Sequence, residues 1–144
     1  MKTTDQPVIV EQVFKISIDE LWDSITQLPL MKQWFFENIE EFEAEVGFST
    51  RFNVHSEGRD FLHLWEITEA DAPRKIVYNW KYEGYEGDSF VSFELFEQKG
   101  GSKLRLTHRV TQDFTSDVPE FNRDSCLNGW KYFISGNLKD FLES

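Results

Sequence analysis

Few residues in this 144-residue sequence could carry chemistry: three histidines, one cysteine and 26 acidic residues. His55, His63 and His108 show neither His-x-His nor His-Glu-x-x-His spacing, so no metal site is expected. Cys126 has no second thiol with which to form an internal disulfide or a metal pair. No Gly-x-Ser-x-Gly elbow, phosphate loop or Gly-x-Gly-x-x-Gly turn occurs, so no nucleophile or cofactor is expected either. The acidic run Glu37, Glu40, Glu41, Glu43 and Glu45 lacks the central glycine of a calcium loop and reads as a solvated surface. Glu66 sits mid-strand. Turned inward it would be a general base, but glutamate is rarely buried, and an outer-face position is the simpler reading. His108 falls on the apolar face of its strand. There it either hydrogen-bonds a polar ligand head or is a core or rim histidine with a backbone partner. Cys126 reads as a small semi-buried apolar residue.

Aromatic residues form the strongest constellation, with 14 Phe and five Trp. Trp34, Phe35, Phe52, Trp65, Trp80, Tyr82, Phe93, Trp130 and Phe133 fall on elements that would border a groove between a sheet and a helix. Such rings either line a pocket for an apolar or aromatic molecule or fill the space as core. The candidate ligand-binding set is therefore Trp34, Phe52, Trp65, Trp80, Tyr82, Phe93, His108, Trp130, Phe133 and Ile134.

The elements that must position these residues follow from hydrophobic period. Val8 to Ile16 is rich in β-branched residues and predicts a strand. Ser17-Ile18-Asp19-Glu20 matches a capping box, and Leu21, Trp22, Ile25 and Leu28 continue at helical spacing until Pro29. Leu30 to Phe35 predicts a second short helical turn. From residue 42 the period becomes two. Phe48 to Val54, Phe61 to Ile67, Ile76 to Tyr82, Val91 to Leu95 and Leu104 to Val110 alternate. Turns are expected at Glu57-Gly58, Asp71-Ala72-Pro73, Gly84 to Gly87 and Gly100-Gly101. Leu127, Trp130, Ile134, Leu138 and Phe141 then share a helical stripe, which predicts one long helix from about Pro119 to Glu143. The expected architecture is α+β of the helix-grip type. One antiparallel sheet of about six to seven strands wraps a long C-terminal helix, with two short helices after strand one, in a single domain over residues 1–144.

This order, with these residues, resembles the START-like superfamily. Within it the chain is similar to the activator of 90-kDa heat-shock protein ATPase homologue-like family. The likeness rests on Val8 to Leu21 with its Ser-x-x-Glu cap, Met31-Lys32-Gln33-Trp34-Phe35, and the hairpin from Trp65 to Trp80. It also rests on Ser102 to His108 and on Gly129-Trp130. The resemblance implies the helix-grip fold, with small-molecule carriers, cyclases and interaction modules all represented. It implies a chaperone partner as well. The eukaryotic activator makes its chaperone contacts through a second, N-terminal domain that has no counterpart here.

A formal net charge of −11 disfavours nucleic acid and anionic lipid as partners. No stretch approaches the apolar length of a membrane span, and the lone thiol suits a reducing cytoplasm. The leading expectation is non-enzymatic binding of an apolar or aromatic small molecule. The alternatives are a co-chaperone-like interaction module and a cyclase- or dehydratase-type enzyme using His108 and Glu66. Large apolar residues such as Phe35, Phe36 and Tyr85 are expected at the surface, where they would favour a homodimer.

Overall fold

The computed structural model describes residues 1–143. Strand β1 (Val8–Phe14) is followed by helices α1 (Ile18–Thr26) and α2 (Leu28–Trp34). Strands β2 (Ser49–Ser56), β3 (Arg59–Asp71), β4 (Lys75–Tyr82), β5 (Asp88–Gln98) and β6 (Gly101–Gln112) come next. All six pair antiparallel in the order β1-β6-β5-β4-β3-β2. The first strand therefore lies beside the last, and the consecutive hairpins stack outward from it.

Local signals explain the starts of the helices. Ser17 Oγ accepts the Glu20 amide at 3.1 Å, as a capping residue should. Glu20 reaches the Ser17 hydroxyl, 3.3 Å away. Pro29 does not only close α1; it sits in the first turn of α2, where its missing N–H costs nothing. The C-terminal helix departs from expectation in two ways. Pro119–Phe121 is a separate 3₁₀ turn, and the helix begins at Arg123. Asn122 breaks the two apart: its backbone is extended, and its side chain caps the Ser125 amide at 2.7 Å. From there α3 (Arg123–Trp130) runs into a π-helical stretch, Lys131–Leu138, and then α4 (Lys139–Glu143). The wider π turns keep Trp130, Ile134 and Leu138 in the core.

Alternation along each strand sends one set of side chains to the helix side. Val8, Val10 and Phe14 of β1, Trp65 and Ile67 of β3, and Tyr78 and Trp80 of β4 are buried there. Val91, Phe93 and Leu95 of β5 join Leu104 and Leu106 of β6. Glu66, between Trp65 and Ile67, is exposed on the opposite face. Phe35 is not at the surface but 7% exposed, and Phe36 and Tyr85 are half-buried. The irregular stretch after α2 folds beneath the C-terminal helix and carries both phenylalanines into the groove.

A second, smaller cluster joins Phe61, Phe114, Val118 and Phe121 at one end of the sheet. Gly87 makes it feasible. Its φ is +126°, and an added Cβ would fall 2.3 Å from the Phe114 ring.

Trp130 is 5% exposed and joins helix to sheet. Trp130→Ala is expected to cost about 3–5 kcal/mol of stability, read from urea denaturation. A loss below about 0.5 kcal/mol would place the ring outside the core.

Candidate functional site

Strand register gathers the polar inward residues at one end of the sheet. His63 pairs with Tyr82 across β3 and β4, and Trp80 pairs with Ser89 across β4 and β5. His108 of β6 lies opposite Val91. Above them, α3 contributes Cys126, Gly129 and Trp130. Between these two walls lies an open-mouthed cavity of about 140 Å³, whose lining includes His63, Trp80, Tyr82, His108, Trp130 and Phe133. Met1, Phe36, Ser125 and Glu120 complete the lining.

The candidate residues divide by position. Trp80, Tyr82, His108, Trp130 and Phe133 line this cavity. Trp34, Trp65, Phe93 and Ile134 are fully buried in the surrounding core, and Phe52 nearly so, at 4%. The Trp34 indole is anchored by donating to the Ser24 carbonyl at 2.8 Å. Phe35 occupies the centre, stacked on Trp34 at 4.6 Å and within 5.7 Å of the Trp65, Trp130 and Phe133 rings. Two of the lining rings, His63 and Phe36, were not among the sequence candidates. His63 could have been found from its parity with Trp65 on β3. Phe36 could not, because it lies in a stretch with no period to read.

His108 is wholly committed. The Trp130 indole N–H can only donate, and it points at His108 Nδ1 from 3.0 Å. The ring proton is therefore on Nε2, which donates to Ser89 Oγ at 2.9 Å. Ser89 in turn donates to the Trp80 carbonyl at 2.7 Å. Burial, with the N-terminal ammonium adding to it, pushes the His108 pKa down to about 3. The Cys126 sulfur also lies 3.3 Å from Nδ1. Burial lifts that thiol to about 12, so the pair holds its protons where a cysteine–histidine nucleophile would need them exchanged. His63 takes the opposite tautomer. Its Nδ1–H donates to the Phe61 carbonyl at 3.0 Å, and burial lowers its pKa to about 4.

Glu66 borders a different feature, a depression of about 500 Å³ on the outer side, with Arg51, Lys81, Glu40 and Glu41. Its charges of both signs are hydrated and concentrate no single ligand charge. The sheet separates Glu66 from His108, so the two cannot act on one substrate atom. Among the described residues no three histidine, cysteine or acidic side chains converge on a metal position. No described helix is long and apolar enough to cross a membrane.

Both buried histidines have folded pKa values below the ordinary 6.5. As pH falls, the unfolded chain takes up protons first, so stability is lost from about pH 6.5 downward and levels off near each folded value. Each ring contributes about 1.4 kcal/mol per pH unit in that window. Denaturant unfolding between pH 7 and 4.5 is expected to show a loss of roughly 2–5 kcal/mol. His63→Phe should remove about half of that slope, and an unchanged slope in the variant would contradict the assignment.

No curated protein matches the chain. Protein CV1439 from Chromobacterium violaceum superposes with a TM-score of 0.79 at 16% identity, over 96% of this chain and 97% of that one. The Aha1 dimer from Colwellia psychrerythraea gives 0.71 at 19% identity, over 96% and 97%. CalU16 from Micromonospora echinospora gives 0.66 at 24%, over 94% and 74%. At such identities the likeness establishes the fold alone. The family model described as Activator of Hsp90 ATPase homolog 1-like protein matches residues 15–143, and the chain belongs to that family.

Proposed function

We propose that this chain binds a small apolar or aromatic molecule between the sheet and α3 and performs no chemistry on it. The observation that carries this reading is the cavity itself: ring-lined, with its histidines neutral and its thiol protonated. The family's fold commonly binds small molecules, which agrees. Size narrows the ligand. An apolar cavity of about 150 Å³ accepts benzene, whereas drug-sized ligands occupy about 300–1,000 Å³. At about 140 Å³ the space takes one ring, and a larger ligand would have to displace Phe36 or Phe133. The wall formed by Trp80, Tyr82, His108, Trp130 and Phe133 contacts the ligand. Trp34, Phe52, Trp65, Phe93 and Ile134 back that wall. Affinity would come from apolar burial at about 25 cal/mol per Å², less the cost of immobilisation.

Self-association is a second proposal. The Colwellia relative is a dimer, and Ile9 and Val13 of this chain are 53% and 46% exposed on the outer face of β1. A cytoplasmic setting suits the lone reduced thiol. Sedimentation equilibrium of a monomer at high concentration would remove the dimer.

Gly129 provides the test of the cavity. An added Cβ there meets no atom within 4 Å. Gly129→Ala should raise stability by up to about 1 kcal/mol, since alanine is the better helix former. Gly129→Leu should fill the space and abolish binding of single-ring aromatics while the protein stays folded. A thermal-shift and NMR titration with benzene, toluene and phenol checks both. Undiminished binding by the leucine variant would place the ligand elsewhere.

A further inference from the structure

We infer that His63 is the polar anchor of this cavity, and that the ligand is a neutral single-ring aromatic bearing a hydroxyl or similar hydrogen-bond donor. The inference rests on the small-molecule reading above and names the chemistry of that same site.

The two buried histidines differ in what they leave unused. His108 spends one nitrogen on Trp130 and the other on Ser89. His63 spends only Nδ1, on the Phe61 carbonyl. A carbonyl can only accept, so the proton is on Nδ1 and Nε2 keeps a bare lone pair. Burial holds the ring neutral, with a pKa near 4, so the lone pair persists at neutral pH. No described residue donates to Nε2. His63 lines the cavity, and Nε2 is not sealed in the core as Trp65 Nε1 and Tyr78 Oη are, so its lone pair is open to a donor that enters from outside the protein. Neither can the ring turn away to find another. It stacks on Phe52 at 4.8 Å and 19°, and meets Tyr82 edge-on at 4.7 Å.

Tyr82 supplies the complementary half. Its oxygen accepts the Trp80 indole N–H at 2.9 Å, which leaves its own hydrogen free to donate. His63 and Tyr82 are direct cross-strand partners with ring centroids 4.7 Å apart, and both rings line the cavity. One ligand hydroxyl can donate to His63 Nε2 and accept from Tyr82 together. Charge is excluded on two grounds. The rings would strip a charged group of water without a free opposite charge to replace it. The two charged groups on the described lining are both engaged: Glu120 pairs with Arg59 at 3.2 Å, and the Met1 ammonium donates to the Phe121 carbonyl.

The test compares phenol with toluene and fluorobenzene, nearly the same shape without the donor. Binding is read from the indole N–H signals of Trp80 and Trp130 in the parent, His63→Phe and His63→Gln. The parent should prefer phenol about tenfold, although toluene gains more by leaving water. His63→Phe should bind toluene and lose the preference, and His63→Gln, whose amide oxygen accepts, should keep part of it. Equal binding of the three probes by the parent would overturn the assignment and leave the cavity reading standing. A preference that survives in His63→Phe would overturn it too. If no probe moves the parent's indole signals, the cavity reading itself fails and the assignment goes with it. The probe series on the parent alone decides the matter should either variant not fold.

Discussion

The structure depends on a layer of aromatic rings in which Phe35 is the central piece. It comes from neither the sheet nor the C-terminal helix but from the end of α2. Stacked on Trp34, it reaches Trp65 and Trp80 on one side and Trp130 and Phe133 on the other. Burying such a ring stabilises a fold by roughly 1.5–3 kcal/mol, and each well-placed ring pair adds about 0.5–1.5 kcal/mol. The same ring limits the function. By filling the middle of the groove, Phe35 and Phe36 confine the open space to the end where the polar residues converge.

Polar atoms inside this layer are settled by simple rules of donation. Trp130 can only donate, so His108 must accept at Nδ1. The Phe61 carbonyl can only accept, so His63 must donate from Nδ1. Neighbours that cannot change roles thus fix two chemically identical side chains in opposite tautomers. Deeper in the core, Trp65 Nε1 and Tyr78 Oη have no hydrogen-bond partner among the described residues. Each costs about 1–3 kcal/mol, and burial pushes the Tyr78 phenol well above its usual range. Both belong to large rings packed on every side, and that packing offsets the cost.

Family membership sets a frame that the site then fills. A shared helix-grip fold says where a cavity can open, between sheet and terminal helix. It does not say which polar atoms face that cavity, and at 16–24% identity those atoms do not transfer from the solved relatives. The chemistry of this chain has to be read from its own His63, Tyr82 and His108.

Much of this was legible in the residues themselves. Alternation is a backbone property, so Ile76-Tyr78-Trp80-Tyr82 and Leu104-Leu106-His108 showed their inward faces before any pairing was known. The Leu127–Phe141 stripe located the terminal helix, and Ser17 marked the start of α1. Period carries no information where the backbone has none. The stretch holding Phe35 and Phe36 is irregular, so only packing placed them in the groove. Nor does sequence reveal tautomers. His63 and His108 share the same parity on their strands, and what separates an open ring from a closed one is the indole of Trp130, 22 residues from His108 along the chain. The start of the terminal helix was decided by Asn122, whose side chain competes with the Pro119 signal and wins by capping an amide. Composition and period determined the fold, because they act through the local backbone. Cavity size and hydrogen-bond polarity were decided by contacts between distant residues, which exist only once the chain has folded.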